Sequence, residues 1–394
     1  MIKVNKNLFW IYLFIIYYFI PITVQYIRSI GIVIILLFFC LFNLDSIKTK
    51  CQTIIVYGLG WVGLYFVLSL WMNYSIQSIL QGILSIILCF FPTVLFLTID
   101  DYSILHKNHI KIAIIIAVAV GSLNTLIVLS LFPNASRLLA SGEAENSIYA
   151  HMGAGGYGFI YSLVFIIPVF IRRALKSKGV NKIVLLTAAL LLFMVVVKAS
   201  YTIAVLLMVI MIAYSFCTKK WQRIILSLIC IGCVLLINNS VFADALYKVS
   251  SWFESGSTLN LKFIQLAKGI VENDIYSSTG GRIDLYTNTL EVIKHSPFWG
   301  ALKTGIIGDG HTSWLDLYAK FGVFSLLFFA LIRFQQKHIT NNFKEHSFLT
   351  FLFFSWCMLG FVNPIHNQGP VAFAIYFVAP LFEREENETA KCLE

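Results

Sequence analysis

Charge is scarce in this sequence. Asp, Glu, Lys and Arg make up only 12% of its 394 residues, while 59% are hydrophobic. Soluble domains carry about 25% charged residues, so a soluble enzyme with a small anchor is excluded, as is a disordered tail protein. Polar–apolar alternation is also missing, and without it a membrane β-barrel has no strands. The eight cysteines show no secreted disulfide framework. Cys230 and Cys233 form a C-x-x-C inside an apolar run, where thiols pack as small hydrophobes. No small-residue cleavage site closes the first apolar run, so it is expected to stay as a first helix.

What is present is a series of apolar runs. They fall at 8–27, 29–44, 53–71, 76–98, 110–132, 156–171, 181–198, 201–217, 222–238, 312–332, 347–362 and 368–382. A spanning helix takes roughly 20 residues, so an all-α polytopic membrane protein of about twelve spans is expected, as one domain over 1–394. The second and last runs are short, which leaves room for eleven spans or a re-entrant segment. Pro21 is expected to kink the first helix, as membrane helices tolerate.

The charges that exist are unevenly placed. With the amino terminus inside and spans alternating, both termini are cytoplasmic. The inner side then holds 19 of the 29 basic residues. Lys107, Lys111, Arg172, Arg173 and Lys176 are among them. The short outer loops and the first long one hold only Arg28, Arg137 and Lys198. This asymmetry is the positive-inside signature, and it accounts for the whole formal net charge of +10. Nothing is left to imply nucleic acid.

Two outer loops are long, 133–155 and 239–311. The second contains LNLKFIQLAKGIVEN and RIDLYTNTLEVIKHS, each apolar at helical spacing (Leu261, Ile264, Leu266 and Ile270; Ile283, Tyr286, Leu290 and Ile293). SSTGGR and SPFWG are breakers around the latter. A small folded cap of short amphipathic helices between spans 9 and 10 is expected.

Several motifs have plain readings. GLGWVG and GAGGYG match a dinucleotide-binding spacing, but neither has the strand context that such a site needs. The first is expected to allow close helix packing. The second is expected to be a flexible turn or a close backbone approach to a ligand. Asp100–Asp101 is an adjacent acidic pair, and it is expected on the inner side as solvated charge. The first outer loop, Val24 to Ser29, has no acid, against a first-loop carboxylate base. No outer cluster has metal-ligand spacing, so neither metal nor cofactor is expected.

The outer cations and histidines are the candidate functional residues. Arg137, Lys198 and Arg282 stand where the positive-inside rule disfavours them. Lys198 ends an apolar helix, where a cation is a functional candidate or a snorkelling side chain. His311 precedes TSWLDLYAKFG, in which Asp316 and Lys320 are four apart and expected to pair. His is the side chain that moves protons near neutral pH, and His151 and His366 also fall outside.

The run GGRIDLYTNTLEVIKHSPFWG followed by GDGHTSWLDLYAKFGVFSLLFF resembles the signature of the O-antigen polymerase and ligase superfamily. Gly281, Arg282, Pro297, Gly300, His311 and Gly322 carry the likeness. The segment from Ser136 to Ser162, with Arg137 and Gly142, is similar to the family's first long outer loop. The chain has His311-Thr312 where His-Asn is common, and ALKTG intervenes after Pro297 to Gly300. These departures favour a divergent capsule or O-antigen polymerase over the ligase. The resemblance implies a bacterial cytoplasmic-membrane enzyme joining oligosaccharide repeat units carried on undecaprenyl diphosphate, on the outer side of the bilayer. It would place Arg282 and Arg137, with Lys198, on the diphosphate and His311 on the acceptor hydroxyl. His151, Asp316, Tyr286 and His366 would contact acceptor or sugar. A chain-length regulator and a flippase would be its partners. A ligase, a lipid-linked oligosaccharide flippase and a sugar acyltransferase are the competing readings.

Overall fold

The computed structural model describes residues 6–100, 102–141, 147–217, 219, 221–222, 225, 239–271, 282–304, 312–340 and 347–383. His311, Gly281, Gly142, Cys230 and Cys233 lie outside the described residues, as does most of the expected ninth span, and so does the side chain of Arg282.

Every element among the described residues is helical. The chain begins with α1 (Lys6–Phe19), α2 (Pro21–Phe42), α3 (Leu44–Lys50), α4 (Gln52–Trp71), α5 (Ile76–Ile99) and α6 (Ile104–Leu131). Short α7 (Ala135–Ser141) and α8 (Ser147–His151) precede α9 (Tyr157–Lys176), α10 (Gly179–Ala199) and α11 (Thr202–Phe216). Next come α12 (Asn239–Ser250), α13 (Thr258–Val271), α14 (Arg282–His295) and α15 (Ala301–Thr304). A 3-10 turn joins α16 (Trp314–Phe321) to α17 (Leu326–Ile339). After α18 (Ser347–Leu359), a π-helical turn, Ala374–Val378, separates α19 (Gly369–Phe373) from α20 (Ala379–Glu383).

Six helices are long and apolar enough to cross a membrane: α4, α5, α6, α9, α10 and the Trp314–Ile339 unit. A seventh counts if Ile30–Phe42 and Leu44–Lys50, bent by 81° at their break, are one span. Shorter apolar helices occupy Leu8–Phe19, Ile203–Phe216, Ser347–Leu359 and Gly369–Glu383. The chain has the architecture of a helical membrane protein. In α6 the stripe Ile110, Ile114, Val118 and Leu129 is buried, while Ile112, Ile116, Leu123, Ile127 and Leu131 are exposed. Both faces are apolar, which water would penalise and hydrocarbon does not.

The first two helices divide at a different place from the expected one. The sequence puts the boundary near Arg28, but α1 stops at Phe19 and Pro21 begins α2. The reason is local. Proline has no N–H to donate and a φ already suited to the first helical turn, so it starts a helix more readily than it continues one. The second helix folds back along the first, stacking Phe38 on Trp10 with ring centroids 5.1 Å apart.

The centre of the bundle is α9, buried continuously from Gly158 to Ile171. A helix apolar on all sides belongs inside. Pro92 interrupts α5 and, lacking an N–H, frees the carbonyl of Leu88. The Tyr18 hydroxyl donates to that carbonyl at 2.8 Å. Tyr18→Phe should therefore cost about 1 kcal/mol, read as a lower midpoint of thermal unfolding in detergent. An unchanged midpoint would show the carbonyl satisfied otherwise.

In GLGWVG, Gly58 is buried, and a methyl added there would meet the Phe90 ring at about 3 Å. Close helix packing is its role, as expected. The amphipathic stretches of the second long loop form α13 and α14. Leu259, Phe263 and Ala267 of α13 pack with Ala243 and Leu246 of α12 in an apolar cluster of their own.

The polar side chains gather at two ends. At one, Arg172 Nε donates to both Glu383 carboxylate oxygens at 3.0 Å and its guanidinium lies 4.8 Å from the Phe348 ring. Lys176 lies 3.9 Å from the same carboxylate, and Lys111 stands over Phe382. The other end carries the serines, tyrosines and amides of the candidate site.

Candidate functional site

Arg137 sits on α7, held by a fold-back of the chain. Thr125 on α6 accepts the Gly155 N–H at 2.9 Å, and Ser136 donates to the Gly155 carbonyl at 2.6 Å. Gly153 adopts φ +88°, a left-handed backbone open to glycine at little cost. GAGGYG is thus a turn, as expected, but pinned by Thr125 and Ser136 rather than flexible, and its anchor Ser136 is the neighbour of Arg137.

Arg137 Nη2 donates to the Ser200 carbonyl. Ser200 caps α10 in a left-handed conformation, φ +60°, which turns that carbonyl across to α7. The guanidinium carbon is 5.8 Å from the centroid of the Tyr201 ring. Tyr201 in turn donates its hydroxyl to the Ser136 carbonyl at 2.8 Å. Arg137 Nε is buried with no hydrogen-bond partner among the described residues. Burial holds the guanidinium below its ordinary pKa, but arginine stays charged. The arrangement is a fixed cation with no carboxylate paired to it among the described residues and with N–H groups beyond the one spent on Ser200.

Tyr201 belongs to a cluster. Its ring is 5.6 Å from Tyr157 and 5.9 Å from Tyr161, and those two are 4.5 Å apart. Asn363 donates to the Tyr161 hydroxyl at 3.4 Å. Ser313 donates to the Asn363 carbonyl at 2.9 Å and accepts the N–H groups of Ile365 and His366 at 2.7 and 3.0 Å. A chain of contacts, ring packing among the tyrosines and then hydrogen bonds, thus runs from Arg137 to Ser313, two residues after His311 in sequence.

Arg282, whose side chain is undescribed, is the first residue of α14. That helix is tied to the same region at three points. Thr289 donates to Asp316 at 2.9 Å, Tyr286 donates to the Phe361 carbonyl at 2.9 Å, and Tyr318 donates to the Pro297 carbonyl at 2.9 Å. Asp316 also accepts the Thr312 N–H at 2.5 Å, while Thr312 Oγ1 accepts the Asp316 N–H at 3.1 Å.

These bonds explain a departure from expectation. Among the described residues no ion pair joins Asp316 to Lys320. The carboxylate is committed to Thr289 and Thr312, and Lys320 instead lies 4.4 Å above the Tyr74 ring and 5.0 Å from that of Phe321. Helical spacing brought the two charges onto one face, but hydrogen bonds from α14 took the acid first.

The remaining candidates are scattered. Lys198 is in the last turn of α10, exposed, two residues from the carbonyl that Arg137 holds. His151 ends α8 and is exposed. His366 turns into the bundle: its ring packs edge-on to Phe328 and Nδ1 is buried. Burial, then the charge of Lys320, pushes its pKa down to about 4. The native state therefore resists protonation that the unfolded chain accepts below about pH 6.5. Stability is full above that pH and should fall as pH drops from 6.5 towards 4. His366→Asn should flatten this part of the profile; an unchanged slope would locate the titration elsewhere.

Sequence reasoning missed Tyr157, Tyr161, Tyr201, Ser200, Ser313 and Asn363. The signal for some was present, since NPIHNQG interrupts the last two apolar runs with turn-forming and polar residues. Among the described residues no three His, Cys, Asp or Glu side chains are grouped to hold a metal.

No protein-family model, curated protein or solved structure matches the chain.

Proposed function

We propose that this protein is a bacterial polysaccharide polymerase of the cytoplasmic membrane, acting on repeat units linked to undecaprenyl diphosphate. In this reading the chain crosses the bilayer about twelve times with both termini inside. The basic end around Arg172 and Glu383 faces the cytoplasm, and loops 133–155 and 239–311 lie outside. The single observation that carries the reading is the Arg137 guanidinium, held by a carbonyl and a ring and with no carboxylate paired to it among the described residues. Ring contacts and hydrogen bonds lead from it through Tyr201, Tyr161 and Asn363 to Ser313, two residues after His311 in sequence.

The chemistry follows from that placement. A hydroxyl of one lipid-linked unit attacks the anomeric carbon of the growing chain. The C–O bond to the diphosphate breaks, and undecaprenyl diphosphate leaves with the bonding electron pair. The anionic leaving group calls for preorganised cations, and arginine's planar fork suits phosphate oxygens. Arg137 and Arg282 take this role, with Lys198 at the rim. His311 accepts the hydroxyl proton. The energy resides in the diphosphate ester, so no nucleotide is consumed.

The test is polymerisation by the purified protein. Incubated in detergent with a lipid-linked repeat unit, it should produce a ladder of longer glycans and release the lipid diphosphate, with chelator making no difference. Translocation of the lipid across vesicles with no ladder would replace this reading with a flippase. Transfer of glycan to a different lipid acceptor would replace it with a ligase.

A further inference from the structure

Beneath the loop that carries Asn363 lies a small internal cavity, about 10 Å3 in which a water-sized sphere can be centred. Its walls are mostly apolar, from α5, α17, α18 and the α19–α20 segment. Three side chains there are out of keeping with apolar walls. His366, Trp356 and Tyr376 all line the cavity, and His366 Nδ1, Trp356 Nε1 and the Tyr376 hydroxyl are each buried without a hydrogen-bond partner. Gln335 also lines it, but its amide is already spent on Thr93 Oγ1 at 3.0 Å and the Cys89 carbonyl at 3.3 Å.

Three orphaned polar atoms on side chains that line one small space are rarely left unmatched, because each loses its water without replacement. Their chemistry is complementary to one small molecule. The indole N–H only donates, the phenol donates or accepts, and a neutral imidazole offers a lone pair. The low pKa of His366 keeps the ring neutral at pH 7. The available volume is that of roughly one water, and buried waters make about three hydrogen bonds.

We infer that this cavity is a structural water site. The water accepts from Trp356 Nε1 and the Tyr376 hydroxyl and donates to His366 Nδ1. The π-helical turn Ala374–Val378 has a purpose in this account. Its extra residue breaks the α-helical register and brings Tyr376 to the cavity, and such π-bulges recur at functional positions.

The water would fasten the 360–368 loop from below. From the side, Ser313 already holds that loop through Asn363, Ile365 and His366. His366 is therefore a positioning residue in this inference, one that acts on the bundle's polar end through the loop. The inference does not depend on the reaction catalysed.

The experiment is a structure of the full-length protein in lipid nanodiscs at a resolution that shows ordered water. Density within hydrogen-bonding reach of all three atoms is expected. A dry cavity, or direct hydrogen bonds among the three side chains, would overturn the inference. A mutant cycle on unfolding equilibria adds an independent measure. Tyr376→Phe and His366→Leu should each lower the folded-to-unfolded ratio by about tenfold. Together they should cost less than the product, because the first loss already frees the water. His366→Asn, which keeps a polar atom near the Nδ1 position, should restore most of the loss. Strict multiplicativity with no rescue would count against a shared water. Should the variants fail to fold, the wild-type density decides.

Discussion

Arg137→Ala and Arg282→Ala should each lower polymer formation by about a hundredfold or more, the loss seen when one preorganised donor is removed from developing charge. Membrane insertion and yield should be unchanged. For Arg137 the structure says why the loss should be chemical. Among the described residues its side chain bonds the carbonyl of Ser200, and its contact with Tyr201 is a ring face; neither holds two spanning helices together. The guanidinium N–H groups not spent on Ser200 are what a phosphate oxygen would take. Arg137→Lys should recover only part of the activity, because a lysine that reached the Ser200 carbonyl would have no second rigid donor to offer. Arg282→Lys should fail if its contact is bidentate. His311→Ala should also abolish long chains, and by a distinguishable route. Loss of a proton acceptor should lower turnover with little change in donor KM, whereas loss of a phosphate-binding arginine should raise KM as well. Polymer of wild-type length from the Arg282 and His311 variants would sink the assignment. Unaltered KM in Arg137→Ala would remove that residue from the diphosphate.

The helices were legible because hydrophobic runs are long and charge is confined to their ends. Each of the eleven expected runs that falls on described residues meets an apolar helix, α4 and α5 almost residue for residue, but only six or seven of these helices are long enough to cross a membrane. The boundary at Pro21 was misjudged because a charged residue, Arg28, looked like the better interruption; helix geometry gave the break to the proline instead. The amphipathic α13 and α14 were legible because their spacing is helical even where they are flanked by polar loop. The site was legible only in its charged members. Arg137 stood out as a cation on the side that the charge pattern assigns to the outside. Its partners did not, since a tyrosine near a membrane boundary is ordinary, and Tyr157, Tyr161 and Tyr201 become one cluster only when α9 packs against the α10–α11 turn. Asp316 and Lys320 show the limit of periodicity. Spacing put both on one face, but Thr289, 27 residues earlier, decided which of them was free.

Gly322→Ala should be among the most damaging single-methyl changes in the chain. Gly322 has φ +55° and ψ −137°, and Gly300 has φ +55°. The two glycines mark the place where the end of α14 crosses the joint between α16 and α17. A Cβ on Gly322 would run into the Phe298 carbonyl, and one on Gly300 into the Ala319 carbonyl. Both neighbours are backbone and cannot swing aside. A positive φ with ψ −137° lies outside the left-handed helical well and costs a non-glycine residue about 1–3 kcal/mol, and the collision adds about 1–3 kcal/mol. A destabilisation of about 2–4 kcal/mol is expected, or else the Pro297–Gly300 turn lifts away. Lifting would forfeit the Val323 N–H bond to the Phe298 carbonyl at 3.0 Å and the Tyr318 bond to Pro297. Since α14 begins with Arg282 and ends at this crossing, the helix would lose its seat and polymerisation should fall further than stability does. Gly63→Ala is the control. It also replaces a helical glycine, but nothing lies within 4 Å of the new methyl, so it should be neutral or stabilising by about 0.5–1 kcal/mol. The comparison separates two explanations for Pro297, Gly300 and Gly322. If Gly322→Ala left both the unfolding midpoint and the glycan ladder as in the wild type, the crossing would not be what seats the arginine helix. Those three residues would then have to act on substrate directly.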